Sequence, residues 1–214
     1  MTRAIVLFSG GLDSTTILAW ALAKGRECLA LTFNYGQRHL IELDAAKKIT
    51  EHYGVPQHTI VIDPSTFAKS SLVDDSEMNA SNTYVPARNT LFLAYALGQA
   101  EIEGAQEIYI GPNKADIEGY PDCRPAFIEA FQNLANVATK QATDSVAPKI
   151  VAPLLDLDKK DIVEKAISLK VPLQLTHSCY DPVGNHLCGK CSACTIRHQA
   201  FQDAGITDPL EHSI

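Results

Sequence analysis

The chain of 214 residues contains no apolar run near the roughly 20 residues that cross a bilayer. Met1 leads almost directly into the strand-like run Ala4-Ile5-Val6-Leu7-Phe8, without the basic region, apolar stretch and small-residue cleavage site of a secretory signal. Both absences predict a soluble, cytoplasmic protein with no membrane partner. Positive charge is scarce too. The 18 Lys and Arg residues face 25 Asp and Glu, and the formal net charge of -7 disfavours non-specific nucleic-acid binding and a direct role on RNA. Internal repeats and low-complexity tracts are missing. What remains is a globular composition, 46% hydrophobic and 20% charged, long enough for one substantial core and at most a small appended subdomain.

Two common nucleotide fingerprints are also absent: neither GxxxxGK[ST] nor GxGxxG occurs. Instead the first apolar run ends in Phe8-Ser9-Gly10-Gly11-Leu12-Asp13-Ser14-Thr15-Thr16 and opens a helical pattern. Adjacent glycines let a backbone turn tightly and approach a ligand, and free N–H groups at a helix start attract an anion. This is a phosphate cradle. The backbone around Gly10 and Gly11 would hold the β and γ phosphates, Ser9, Ser14 and Thr15 would add hydroxyl donors, and Asp13 would bind Mg²⁺ directly or through water. The bland alternative is a plain turn with Asp13 favoured by the helix dipole. The strand-turn-helix context speaks for the cradle. The segment resembles the SGGxDS loop of the PP-loop ATP pyrophosphatases, which cleave ATP to AMP and pyrophosphate while adenylating a substrate. That resemblance implies ATP along the whole stretch: Phe8, Ser9, Gly10, Gly11, Leu12, Asp13, Ser14, Thr15, Thr16, Ile17 and Leu18.

Strand-like runs at Ala4–Phe8, Cys28–Asn34, His58–Ile62, Glu107–Gly111 and Ile150–Ala152 alternate with helical patterns at Ser14–Lys24, Leu40–Tyr53, Arg88–Glu103, Pro125–Thr139 and Lys159–Ser168. Gly25, Gly54 and Gly104 follow three of the helices, and Asp158 stands where an N-cap belongs. The order predicts an α/β fold, a doubly wound parallel five-stranded sheet with ligands beyond the carboxyl ends of the strands, and the PP-loop resemblance implies that it is of the adenine nucleotide α-hydrolase-like kind. Two regions break the alternation. Residues 63–87 are polar and aperiodic, the composition of a lid or binding loop. Residues 172–214 carry the cysteines, giving an expected division into a catalytic domain, 1–171, and a small helical metal-binding region.

Of six cysteines, Cys179, Cys188, Cys191 and Cys194 form the pattern C-x8-C-x2-C-x2-C, four soft ligands within sixteen residues. A closed four-thiolate shell suits structural Zn²⁺. An iron–sulfur centre is the alternative, although the further Cys-Pro of a ferredoxin run is missing. Cys28 reads as a small buried hydrophobe.

Three polar stretches follow strands or open helices: Asn34-Tyr35-Gly36-Gln37-Arg38-His39, Tyr84-Val85-Pro86-Ala87-Arg88-Asn89 and Gly119-Tyr120-Pro121-Asp122-Cys123-Arg124. Taken singly each suits a turn or helix start; the predicted sheet gathers them at one edge. With the SGGLDSTT loop and the SCY and CGKCSACTIRHQAF segments, in this order across nearly the whole chain, they resemble the 7-cyano-7-deazaguanine (preQ0) synthase family of the queuosine pathway. The resemblance implies conversion of 7-carboxy-7-deazaguanine, ammonia and ATP into a nitrile with release of AMP and pyrophosphate, a four-cysteine zinc site and a homodimer. One departure is Gly111-Pro112-Asn113, where an apolar residue is expected in place of Pro112. Arg88, Lys159 and Arg197 are cationic candidates for phosphate or carboxylate, with Asn89 beside them. His39 is a candidate for proton removal. A carboxylate can accept both donors of a guanine-like edge, so Asp122 is the first candidate for reading the base and Asp116 the second. Rival functions are another PP-loop amidating ligase, a tRNA thiolase, an enzyme stopping at the amide, and a non-catalytic nucleotide-binding or zinc-scaffold protein.

Overall fold

The apolar runs pair into one parallel sheet. The computed structural model describes residues 1–37, 41–67, 84–184 and 186–210. Its strands β1 (Arg3–Leu7), β2 (Glu27–Asn34), β3 (Gln57–Val61), β4 (Glu107–Tyr109) and β5 (Lys149–Val151) lie in the order β3-β2-β1-β4-β5, every neighbouring pair parallel. Register places Ile5 of β1 opposite Leu29 of β2 and Ile108 of β4. Successive side chains of a strand point to opposite faces, and β1 is apolar on both. Ala4 and Val6 pack with Ile17 and Leu18 of α1 (Leu12–Ala23), Ile49 of α2 (Ile41–Tyr53) and Ile162 of α7 (Lys159–Ser168). Ile5 and Leu7 pack with Leu93 and Leu97 of α3 (Arg88–Glu103) and Phe131 of α5 (Pro125–Ala138). Ile5, Ile17, Leu18, Leu93 and Ile108 are all at most 1% exposed, each burial contributing roughly 1.5–3 kcal/mol. The doubly wound sheet is therefore present as predicted.

Helix ends follow the punctuation. Gly25, Gly54 and Gly104 take left-handed φ of 72, 64 and 63° after α1, α2 and α3. Asp158 accepts from the N–H of Asp161, whose carboxylate accepts from the N–H of Asp158, so α7 begins with Lys159 in its first turn. Three helices escape sequence periodicity: α4 (Asp116–Gly119) and α6 (Lys140–Asp144) are about one turn long, too short to show a period, and α8 (Ser192–Asp203) hides behind the cysteine spacing. The lid expected at 63–87 falls mainly on residues 68–83, outside the described residues. Pro64–Phe67 form a 3₁₀ turn that buries Phe67 against Tyr35.

The segment after residue 171 joins the main core: Ala200 and Phe201 of α8 share the cluster of α1 and α7. Here one expectation is corrected. Arg197 is 3% exposed, and its Nε and Nη2 donate to Oδ2 and Oδ1 of Asp208 at 2.5 and 2.9 Å, while Nη1 donates to Thr176 Oγ1 at 2.9 Å. All its edges are committed, so it staples α8 to the preceding loop and does not meet a substrate. Removing Asp208 strands a buried guanidinium. Asp208→Ala should therefore lose about 3–5 kcal/mol of unfolding free energy in urea titrations.

Candidate functional site

In the strand order β3-β2-β1-β4-β5 the connections diverge between β1 and β4, and the crevice beyond their carboxyl ends is where such a sheet binds ligands. The first loop sits there. Gly10 has φ 84°, and a Cβ on it would lie 2.6 Å from the backbone nitrogen of Ala46 in α2, so no other residue fits without moving that helix. Gly10 C=O accepts from the N–H of His177 at 3.0 Å. Ser9 Oγ accepts from Gly11 N–H at 3.3 Å and lies 3.1 Å from Ser14 Oγ, which also accepts from Ser9 N–H at 3.3 Å. Phe8, Leu12, Ile17 and Leu18 turn their side chains into the core. Thr15 was expected to offer its hydroxyl to phosphate; it instead donates to Gly11 C=O at 2.7 Å, and Thr16 donates to Leu12 C=O at 2.8 Å, both fully buried. Such back-bonding is the ordinary use of Thr inside a helix. Ser9, Gly11 and Ser14 bond one another across the turn, and Asp13 Oδ1 is the loop's buried side-chain oxygen without a partner.

Asp13 joins three chain segments. Its Oδ2 accepts from Lys159 Nζ at 2.6 Å and from Asn113 Nδ2 at 3.0 Å, while Oδ1 is buried with no hydrogen-bond partner. Asn113 Nδ2 also reaches Asp116 Oδ2, at 2.5 Å. Burial raises the Asp116 carboxyl above the ordinary carboxylate range; the Asn113 N–H and Lys159 oppose the shift and Asp13 adds to it. An orphaned carboxylate oxygen beside a phosphate cradle is the chemistry a hard divalent cation takes, so the donors fit Mg²⁺.

A second cluster stands at the start of α3. Ala87 precedes the helix with φ 53°, a conformation that strains a residue bearing a Cβ. Asp122 Oδ2 accepts from Asn89 N–H at 2.9 Å, satisfying an orphan donor of the first turn, and Asn89 Nδ2 donates to Asp122 C=O at 3.1 Å and to Cys123 Sγ at 3.3 Å. This gives Cys123 a packing role, with its thiol pushed up to about 12 by burial. Burial works against the charge of Arg88, but Tyr35, Tyr180 and Asp122 around it raise its pKa above the usual value. Tyr84 and Tyr120 lie nearly parallel, 20° apart, with ring centroids at 6.2 Å.

Glu42, in the first turn of α2, was missed by sequence reasoning. Burial pushes its carboxyl up to about 7 against the pull of Arg88, which places a titrating acid beside that guanidinium at neutral pH. On a helix with an ordinary amphipathic pattern it reads as a solvated face, and no sequence signal marks it. His39 lies outside the described residues.

The four cysteines converge. Cys179, Cys188, Cys191 and Cys194 bring their sulfurs within 4.8 Å of one another, with Cys179–Cys191 and Cys188–Cys194 at 3.9 Å. A tetrahedral ion with metal–sulfur bonds of about 2.3 Å has edges of about 3.8 Å, so the set fits a single metal. All six cysteines are free thiols. Backbone N–H groups of Asp181 and Cys188 donate to Cys179 Sγ at 3.4 and 3.3 Å, and that of Cys191 to Cys188 Sγ at 3.3 Å, donors that would steady the sulfurs around a metal. His177, whose N–H holds Gly10, stands two residues before Cys179, so the knuckle and the first loop share one stretch of backbone.

The structure thus brings together Ser9, Gly10, Gly11, Asp13, Ser14, Asp116 and Lys159, sets Arg88, Asn89 and Asp122 in a neighbouring cluster, and leaves Arg197 elsewhere. No helix among the described residues is long and apolar enough to cross a membrane.

Proteins named 7-cyano-7-deazaguanine synthase are 49% identical over 98% of this chain and 95% of the relative in Solidesulfovibrio magneticus, and 47% identical over 96% and 89% in Leptospira interrogans. The one in Pseudomonas fluorescens is 44% identical over 98% of each chain. Solved structures share the fold at lower identity. A predicted tRNA methyltransferase subunit from Methanocaldococcus jannaschii has a TM-score of 0.55 at 17% identity, covering 100% of this chain and 95% of that one. The U34-tRNA thiolase NcsA of Methanococcus maripaludis, solved with its [4Fe-4S] cluster, has a TM-score of 0.52 at 18% identity, covering 99% and 67%. The family model for queuosine biosynthesis protein QueC matches residues 3–205, and the chain belongs to the QueC family.

Proposed function

We propose that this chain is an ATP-dependent 7-cyano-7-deazaguanine synthase, converting 7-carboxy-7-deazaguanine and ammonia into the nitrile preQ0. The observation that carries it is the Gly10-centred cradle at the β1/β4 crevice with Asp13 Oδ1 left unpaired beside it, in a chain alike over nearly its whole length to synthases of that name.

A carboxylate is a poor electrophile. Attack of its oxygen on the α-phosphorus of ATP releases pyrophosphate and makes the acyl group an ester of AMP. Ammonia then displaces AMP to give the amide. A second adenylation, on the amide oxygen, lets AMP leave with that oxygen while the nitrogen loses its protons, giving the nitrile. The chain has to position reactants and balance charge. Gly10 and Gly11 hold the phosphates, with Ser9 and Ser14 bracing the loop, and Lys159 orients Asp13 by donating to its Oδ2. Mg²⁺ on Asp13 would neutralise the departing pyrophosphate. Arg88 is our candidate for holding the substrate carboxylate. Glu42, titrating near 7, is the better-supported proton acceptor during amine addition, with His39 the other candidate. Asp122, which accepts from Asn89 N–H and lies two residues after Tyr120, is the choice for the guanine-like edge. Asp116, drawn into Asn113, is less free to turn toward it.

For the cysteine site we propose Zn²⁺. Its 3.9 Å edges enclose one ion, whereas a four-iron cube holds its thiolates further apart. A closed thiolate shell leaves no position for substrate, so the metal is structural. A cytoplasmic homodimer is the corresponding expectation for the whole assembly, resting on the family resemblance.

Mass spectrometry of a reaction holding 7-carboxy-7-deazaguanine, ammonium, ATP and Mg²⁺ tests the function. The nitrile should appear with AMP and no ADP; ADP as nucleotide product, or an end point at the amide, would overturn the assignment. Metal analysis of the purified protein should find zinc and no visible iron–sulfur absorbance. Cys188→Ser should lose the metal, melt at lower temperature and raise KM for ATP, because the knuckle carries the His177 backbone that holds Gly10. A metal-free Cys188→Ser protein with unchanged stability and KM would contradict it.

A further inference from the structure

Asn113 is a buried side chain at the crevice to which the steps above give no task. It is fully buried on the segment that leaves β4, and all its polar groups are engaged. Nδ2 donates to Asp13 Oδ2 at 3.0 Å and to Asp116 Oδ2 at 2.5 Å, Oδ1 accepts from Ala115 N–H at 2.9 Å, and the backbone N–H donates to Asp116 Oδ2 at 3.0 Å. The backbone carbonyl accepts from Asp116 N–H at 3.1 Å.

Few side chains could do this. Two carboxylates repel unless something between them donates to both, and a neutral amide carries two diverging N–H groups on one nitrogen. A hydroxyl has one donor, and a third carboxylate would add to the repulsion. The consequence falls on Asp13. With Lys159 and Asn113 both bonded to Oδ2, the carboxylate cannot turn without losing them, and the lone pairs of Oδ1 stay unused although buried. An unpaired buried acceptor costs free energy, so it persists where a ligand completes it.

We propose that Asn113 is a positioning residue for adenylation: by bridging Asp13 and Asp116 across the β1/β4 switch point, it fixes the Asp13 carboxylate so that Oδ1 is kept for the divalent cation accompanying the ATP phosphates. The proposal rests on the pyrophosphatase reading of the first loop. It assigns Asn113 to cation binding through Asp13, with no contact to the deazaguanine.

The test compares wild type, Asn113→Ala, Asn113→Asp and Asp13→Asn by two measurements, after thermal melting shows each to be folded. One is the Mg²⁺ concentration at half-maximal pyrophosphate release. The other is Mn²⁺ binding, followed by electron paramagnetic resonance, in the presence of a non-hydrolysable α,β-methylene ATP analogue. Loss of a group that orients a metal ligand typically weakens metal affinity about 10–100-fold. Both Asn113 variants should therefore need about tenfold or more Mg²⁺ and lose most bound Mn²⁺, while KM for the acid stays within about twofold. Asn113→Asp nearly preserves the shape, so it carries the test if Asn113→Ala does not fold. A merely structural staple would lower the melting temperature and leave the Mg²⁺ requirement and Mn²⁺ spectrum as in wild type, and that result overturns the proposal. Asp13→Asn should abolish Mn²⁺ binding. If it does so while the Asn113 variants bind normally, the inference alone fails; if Asp13→Asn binds Mn²⁺ as wild type does, the reading of the loop fails and the inference with it.

Discussion

The pairing of Asp13 Oδ2 with Lys159 at 2.6 Å and Asn113 at 3.0 Å is the contact on which the rest of the site depends. Asp13 follows β1, Asn113 follows β4 and Lys159 follows β5, so three loops from neighbouring parallel strands are tied at one carboxylate oxygen. The sheet makes this meeting possible. Parallel strands present their carboxyl ends to the same edge, and the divergence of connections between β1 and β4 opens the crevice that the loops line. One carboxylate oxygen thus holds three connections of the sheet together.

The frame is held from two further directions. Below the loop, α2 approaches so closely that only glycine fits at position 10, which makes the Ala4–Phe8 strand, its turn and the second helix one packed unit. Beside it, the backbone of His177 caps the Gly10 carbonyl two residues before the first cysteine of the knuckle. Arg197, paired with Asp208 and Thr176, locks that same stretch to α8. A metal held by the four cysteines would thus have a physical reason to matter for the first loop. Its loss would free the segment that fixes the left-handed glycine.

Much of this was legible in the sequence because it depends on local rules. Apolar runs and helix punctuation mark the five strands and five of the six helices of ten residues or more among the described residues, and the glycine pair, Asp13 and the cysteine spacing mark the cradle and the metal cluster. What was not legible depends on side-chain partners and burial that only the assembled fold supplies. Arg197 looked like a free cation because nothing in a linear pattern ties it to Asp208, eleven residues on across a turn. The Thr15 hydroxyl looked available because its carbonyl acceptor is implicit in every helix. Glu42 owes its raised pKa to burial, a property of the assembled crevice. Asn113 drew notice only through its neighbour Pro112, and its two carboxylate partners lie 100 and 3 residues away.

The chemistry follows from the same economy of parts. Held phosphates, a fixed carboxylate and a few charges suffice if ATP itself removes each oxygen of the substrate. That is the central claim, and oxygen labelling tests it most directly. With both carboxylate oxygens of 7-carboxy-7-deazaguanine replaced by ¹⁸O, every AMP formed should carry one label, the pyrophosphate none and the water none. Label in water or inorganic phosphate, with unlabelled AMP, would contradict the account.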